Sequence, residues 1–248
     1  MEFILESTSF TVYFKKCTEI RRKAFDLEDA FSNICTTPFQ INQVPDSAQE
    51  DIPRIIANSK NALSHLLISQ THLQYNTNLN YLKKVRWIDL YDYFKDMVYV
   101  LYTGLEKVNV NNFHYSGFMT QLFLPMDSDK ETMLFLMERF SKQRNLFPYD
   151  YNAKFTFVEN SKFFINFTIS NVRKYSGSKE LPRFVPAYLK MDATGILITI
   201  DINDRFAYNT EREYFSDSME GLNVLAMSHA IISNKLSSFL ERGEFMNE

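Results

Sequence analysis

Two aspartates, Asp201 and Asp204, lie at the end of and just after residues 195–201, the stretch most typical of a strand. Paired carboxylates can hold a divalent metal ion or act as acid and base in hydrolysis. Aspartate is also common in turns, because its carboxylate accepts hydrogen bonds from nearby backbone amides. One hypothesis is therefore a metal-dependent hydrolase that uses Asp201 and Asp204, and the alternative is that these residues form a turn.

Other motifs of catalysis are missing from the sequence. The four histidines and two cysteines form no HExxH motif and no Cys/His cluster at zinc-binding spacing. The six glycines form no GxG or GxxxxGK[ST] phosphate loop, and no serine or cysteine lies in a nucleophile motif. His65 and His72 are separated by an odd number of residues on one predicted strand, so we expect them on opposite faces. Apart from the aspartate pair, we predict no catalytic residue, no metal ligand and no cofactor.

Composition limits the classes of partner and the cellular location. The net charge of −3 weighs against broad electrostatic attraction to nucleic acid or to anionic membranes. No apolar run reaches the roughly 18 residues of a membrane span, and the first residues do not read as a signal peptide. Two cysteines, Cys17 and Cys35, suit a reducing compartment and do not imply a disulfide framework. We expect a cytoplasmic protein that makes no membrane contact.

Residues 172–186 are predicted to form a basic loop near aromatic strands. The basic residues of this loop are Arg173, Lys174, Lys179 and Arg183. The aromatic residues expected on strands, which could stack on unpaired bases, are Tyr115, Phe118, Phe123, Phe163, Phe164 and Phe167. A nucleic-acid-binding protein is therefore a second hypothesis, and the net charge weighs against it.

Residues 218–245 have the spacing of one long helix. Its stripe recurs in steps of three and four residues: Leu222, Leu225, His229, Ile232, Leu236 and Phe239. Asp217 or Ser218 can cap the beginning, and Gly243 marks the end. A stripe this regular must be buried, either on the chain's own sheet or against the same helix of a second copy. His229, its polar member, is either a hydrogen-bonded core histidine or a pH-sensitive contact.

The other predicted elements divide the chain into two halves. Strand and helix patterns over residues 10–124 follow the order β-α-β-β-α-β, which is the order of a ferredoxin-like sandwich. A helix over residues 86–108 is the clearest of these elements. We predict an α+β protein with two antiparallel sheet-and-helix halves. Their bounds are residues 1–126 for the N-terminal half, 127–148 for a connecting helix, and 149–248 for an antiparallel sheet with the long final helix.

In three places the chain resembles a sporadically distributed family of uncharacterised prokaryotic proteins of about this length. The first is the polar strand pair over residues 58–78, which leads into a helix that begins at Trp87. The second is the helix-to-strand passage over residues 108–124. The third is the strand end over residues 199–203, followed by a last helix that carries His229. The resemblance implies a two-part α+β architecture and a bacterial intracellular origin, and it implies no particular activity.

The absence of catalytic motifs and the regular final helix favour one hypothesis over the others. We expect a non-catalytic interaction or regulatory protein that binds a macromolecular partner. The partner is either another protein or a second copy of the chain, held through the final helix.

Overall fold

A computed structural model describes residues 2–45, 47–79, 85–141, 148–177 and 185–243 of the chain. The strands are β1 (Ile4–Phe14), β2 (Gln40–Ile41), β3 (Ile55–Asn58), β4 (Ser64–Ile68), β5 (His72–Asn78), β6 (Phe113–Met126), β7 (Asn152–Glu159), β8 (Phe163–Ser176) and β9 (Lys190–Asn203). The helices are α1 (Ala24–Phe31), α2 (Trp87–Lys107), α3 (Asp129–Phe140), α4 (Arg205–Thr210), α5 (Ser218–Ala230) and α6 (Leu236–Arg242). Short 3-10 helices, Ile20–Lys23 and Pro186–Tyr188, precede α1 and β9, and a π-helical turn, Ile231–Lys235, joins α5 to α6.

All of these strands belong to one antiparallel sheet. Their order is β2-β3-β4-β5-β1-β6-β9-β8-β7. The α+β class is confirmed, but one sheet replaces the two that were predicted. The reason is β6, which pairs with β1 along one side and with β9 along the other. This strand has 14 residues and joins the two predicted halves, so the sheet has no edge between them.

The ferredoxin-like order of the first half is not confirmed. The one strand predicted to carry both His65 and His72 is instead the hairpin β4–β5. Ser69 makes its turn, because the hydroxyl accepts hydrogen bonds from the backbone amides of Thr71 at 3.1 Å and His72 at 3.0 Å. The alternation breaks at this point, because three apolar residues, 66–68, are followed by four polar residues, 69–72, and this run of polar residues is the local signal of the turn. The hairpin also puts His65 and His72 on the same face, contrary to the expected opposite faces.

The core lies between one face of the sheet and a layer of helices. The buried positions of two central strands are Phe10, Val12 and Phe14 of β1 and Ile196, Ile198, Ile200 and Ile202 of β9. Their period of two is that of a strand with one buried face. Helices α2 and α5 contact each other, and together they pack against β1, β6 and β9. The α2 bounds agree with the predicted helix to within one residue at each end.

The last helical segment begins and ends as predicted. The Asp217 carboxylate accepts a hydrogen bond from the Glu220 amide at 2.9 Å, which caps α5. Gly243 follows α6 in the left-handed conformation, with φ at 71°, where glycine has no side chain to clash. Both signals are local, so the sequence alone is enough to place them.

The chain itself covers part of the predicted stripe: Leu225, Leu236 and Phe239 are buried, whereas Leu222, His229 and Ile232 are half-buried. Helix α5 packs against β6 and β9, and the Phe239 ring of α6 lies 4.9 Å from the Phe167 ring of β8. The π-helical turn adds a residue to one turn of helix, so the buried positions step from Ile231 directly to Leu236. In the structure, the buried part of the stripe packs on the chain's own sheet, which is one of the two predicted alternatives.

Helix α3 lies within the segment predicted to connect the two halves. The Ser128 hydroxyl caps it by accepting a hydrogen bond from the Glu131 amide at 3.2 Å. Residues 142–147 of that segment lie outside the described residues. None of the helices in the described ranges is both long enough and apolar enough to cross a membrane.

Candidate functional site

One face of the sheet lies opposite the helix layer. We call it the open face, and its side chains are the alternate strand residues that point away from the core. A recess of about 230 Å³ at its centre is lined by side chains that include Tyr13, Gln74, Tyr115, Met119, Asp201 and Arg205. An antiparallel sheet commonly leaves one face to water, whereas a recess where several polar groups converge is the usual form of a binding site.

Side-chain amides from two strands hold Asp201 in the recess. Asn203 of β9 donates to its carboxylate at 3.2 and 3.3 Å, and Asn166 of β8 donates at 3.1 Å. The side-chain oxygen of Asn166, Oδ1, in turn accepts a hydrogen bond from the Thr156 hydroxyl of β7 at 2.8 Å. A row of side-chain hydrogen bonds therefore crosses three strands and ends at the carboxylate.

The same end of the recess is rich in hydrogen-bond acceptors. Burial raises the pKa of the Asp201 carboxyl, and the hydrogen bonds from Asn203 and Asn166 only partly oppose that effect. The Oδ1 atom of Asn203 is buried and has no hydrogen-bond partner among the described residues. A ligand that brings N–H or O–H donors into the recess therefore matches the groups that line it.

A row of aromatic rings borders the recess. Tyr13 stacks on Tyr115 with the ring centroids 4.3 Å apart and the planes 22° from parallel. His72 lies beyond Tyr13 at 5.3 Å, and Tyr208 lies beyond Tyr115 at 5.6 Å. Because these faces pack on one another, the row presents ring edges and hydroxyls rather than a free stacking surface. Burial raises the pKa of Tyr115 to about 12, so its hydroxyl keeps its proton at neutral pH.

Among the described residues, the charged groups around the recess are few and of both signs. Arg205 is exposed, and its guanidinium lies 5.5 Å from the centre of the Tyr115 ring. Lys154 is an exposed cation on β7, and Asp201 is the carboxylate within the recess. A face with this balance of charge attracts a polyanion only weakly.

A second cleft, of about 410 Å³, lies between the β7–β8 turn and the π-helical turn. Its lining includes the apolar side chains of Phe163 and Ile231 and the charged side chains of Glu159 and Lys235. We take the smaller recess as the candidate site, because a partly buried carboxylate with a raised pKa is the stronger indication of function.

Asp204 belongs to a separate buried cluster. It is fully buried, and it accepts hydrogen bonds from the Ser116 amide at 2.5 Å, the Tyr214 hydroxyl at 2.6 Å and the Ser216 hydroxyl at 2.7 Å. Burial raises the pKa of its carboxyl, and these hydrogen bonds lower it in part. The carboxylates of Asp201 and Asp204 share no hydrogen-bond partner within the described residues. In the same ranges, no group of three or more His, Cys, Asp or Glu side chains could hold a metal ion.

Two of the four basic residues predicted for a loop lie in β8 instead. Pairing with β9 continues to the end of β8 and includes both Arg173 and Lys174. Arg173 forms ion pairs with Asp129 at 2.8 Å and with Asp150 at 3.0 Å. The neighbouring carboxylates therefore neutralise its charge and tie β8 to α3.

The remaining basic residues give little support to a basic patch. Lys174 forms an ion pair with Glu6 and lies 4.0 Å from the centre of the Phe123 ring. Lys179 and Arg183 lie outside the described residues. The cations that the structure does describe in this segment thus already have partners.

The six aromatic residues predicted for base stacking are divided between the two faces of the sheet. The buried members are Phe118, Phe123, Phe163 and Phe167. Tyr115 belongs to the stacked row, and Phe164 packs edge-on against Phe206 with the centroids 5.3 Å apart. Neighbouring residues of a strand point to opposite faces, so a cluster in sequence is not a cluster on one surface.

His229 lies between α5 and α2. Trp87 donates its indole N–H to Nδ1 of His229 at 2.9 Å, and the Tyr91 ring lies 4.3 Å from the imidazole. Because an indole nitrogen only donates, Nδ1 carries a lone pair and the neutral ring has its proton on Nε2. These contacts are those of a hydrogen-bonded packing residue, and a pH-sensitive role for His229 stays a prediction.

Most residues of the recess are missed by reasoning from sequence. Tyr13, Gln74 and Arg205 come from distant parts of the chain, and no spacing connects them. One usable signal is residues 199–203, where Thr, Asp and Asn alternate with two isoleucines. That pattern indicates a polar face on one strand, and only strand pairing shows which other residues share it.

Comparison with known proteins found no family model that matches the chain and no curated protein that matches it. The function of the recess is therefore inferred from its geometry and chemistry.

Proposed function

We propose that the chain is a non-catalytic interaction protein that binds a macromolecular partner through the open face of its sheet. The observation that carries this proposal is the recess at the centre of that face, between the Asp201 hydrogen-bond row and the Tyr13–Tyr115 stack. The core is built from the opposite face of the sheet, so the side chains of the recess are free to serve recognition.

The chemistry of the recess suits a protein partner. Its acceptors favour a surface that brings N–H or O–H donors, and its few charges are of both signs. Such an interface depends on shape and hydrogen bonding more than on net charge. We therefore expect the affinity to change little between low and physiological salt.

Nucleic-acid binding has less support. Arg173 and Lys174 are neutralised by carboxylates, and the tyrosine faces of the recess are covered by other rings. A metal-dependent hydrolase also has less support, because Asp201 and Asp204 have separate hydrogen-bond partners.

We also propose a cytoplasmic location, as Cys17 and Cys35 are both free thiols. A bacterial origin is proposed only from the family resemblance.

A pair of arginine variants tests the proposed surface. Met119 lies on the open face within the recess, and Ala226 is exposed on α5 in the helix layer. We expect Met119→Arg to reduce the amount of co-purifying partner at least tenfold, because a buried interface core tolerates an added charge poorly. Ala226→Arg should retain the partner at the level of the original chain.

Equal retention by the two variants would contradict the proposal, provided that both unfold at the temperature of the original chain. A salt-titrated assay with single-stranded and duplex oligonucleotides tests the nucleic-acid alternative. Binding at low salt that falls steeply as salt rises would favour that alternative.

A further inference from the structure

The sheet has one long edge strand. Within the described residues, β7 is the last strand on its side, has eight residues and pairs only with β8. The strand at the opposite edge, β2, has only two residues. Proteins usually shorten, bulge or cover their edges, because an unpaired edge is a template for another strand. The pairing of β7 with β8 runs through the whole strand without a bulge.

Half of the β7 backbone groups point away from the sheet. Asn171 donates its amide to the Tyr151 carbonyl at 3.2 Å, which makes this a hydrogen-bonded pair just before β7. In the regular register that follows, odd-numbered residues bond to β8 and even-numbered residues point outward. The outward residues are Asn152, Lys154, Thr156 and Val158. Within the described residues, no hydrogen bond reaches the outward amides or carbonyls of these four residues.

We propose that β7 pairs antiparallel with β7 of a second copy, in a register centred on Thr156. A two-fold axis normal to the sheet makes such a contact self-complementary. The two nine-stranded sheets then become one continuous sheet, and their open faces become one surface. This interaction goes beyond the proposed function, since it uses the sheet edge and leaves the recess free.

The side chains match across this register. It places Phe155 opposite Phe157 of the second copy, twice by symmetry, and both residues are half-buried in the single chain. It also places Lys154 opposite Val158, which is 46% exposed, rather than opposite another lysine. Aromatic cross-strand pairs are stabilising and directly opposed like charges are not. β7 of a second copy therefore provides both the aromatic pairs and the absence of opposed like charges.

Cysteine crosslinking tests the register directly. In a Cys17→Ser background, Thr156→Cys puts each cysteine opposite its own mate, with Cα atoms about 5.5 Å apart, within disulfide range. The remaining native thiol, Cys35, is fully buried. Mild oxidation should therefore give a covalent dimer. Val158→Cys is the matched control, because its mate lies four residues along the strand, about 14 Å away.

Sedimentation velocity over a range of concentrations tests the dimer without a crosslink. The original chain should exceed the 29.2 kDa of one copy at high concentration. Thr156→Pro removes an outward amide that β8 does not use, and it should weaken dimerisation at least tenfold. Thr156→Val keeps the amide and should dimerise like the original chain.

A single-copy mass for the original chain at all concentrations would overturn the proposal. Equal crosslinking of the Thr156→Cys and Val158→Cys variants would overturn the register. If Thr156→Pro fails to fold by circular dichroism, the two cysteine variants decide the question. If Met119→Arg dimerises like the original chain while Thr156→Pro does not, the edge contact is independent of the recess.

Discussion

Asp201 and Asp204 are three residues apart in the chain, yet their carboxylates lie in different environments. Asp201 lines the recess of the open face, whereas Asp204 is fully buried and bonded to Ser116, Tyr214 and Ser216. Strand β9 ends at Asn203, between the two residues. The Asp204 side chain therefore enters a separate buried cluster at the beginning of α4. The first aspartate is therefore available for recognition, and the second holds neighbouring elements together.

Tyr214→Phe should destabilise the protein. The substitution removes one of the hydrogen bonds to the buried Asp204 carboxylate, which is 2.6 Å long. We expect the free energy of unfolding to fall by about 1–3 kcal/mol, as for other buried groups that lose a partner. Urea unfolding measures this. Tyr208→Phe is the control, since that residue is 36% exposed, and an equal loss in both variants would contradict the assigned role.

Asp201→Asn should change how stability depends on pH. Burial raises the pKa of Asp201 in the folded chain, so the folded state binds this proton more tightly than the unfolded state. The protonated Asp201 carboxyl therefore stabilises the folded chain at acid pH. This stabilisation is lost as the pH rises through the pKa of Asp201 in the folded chain. We therefore expect the free energy of unfolding of Asp201→Asn, minus that of the original chain, to increase from pH 4 to pH 7. A difference that moves the other way would contradict the assigned direction.

Thr120→Val should stabilise the protein. The Thr120 hydroxyl is buried and has no hydrogen-bond partner within the described residues. Replacing it with a methyl group of similar shape should raise the free energy of unfolding by about 1 kcal/mol. Thr132→Val is the matched comparison, because the buried Thr132 hydroxyl donates to the Ser128 carbonyl at 3.0 Å. Thr132→Val should lower the free energy of unfolding by about 1 kcal/mol. Thermal unfolding of the two variants shows whether one is stabilised and the other destabilised.

The helices and several strands could be predicted from sequence, whereas the pairing that joins the strands into one sheet could not. Helix α2 and the caps of the final segment depend on spacings within one element, so a local pattern contains the needed information. The extension of β8 through Arg173 depends on pairing with β9, a partner distant in sequence. The recess depends most on partners distant in sequence, since it combines residues of β1, β5, β6 and β9. The alternation over residues 199–203 indicates that Asp201 belongs to a polar face, but not what lies beside it.

Photo-crosslinking in living cells tests the open face most directly. A photoreactive residue at position 119 would lie within the recess, and one at position 226 would lie on the helix layer. We expect light to produce a discrete adduct with the partner from position 119 and none from position 226. The same adduct from both positions, or an adduct from position 226 alone, would contradict binding through the open face.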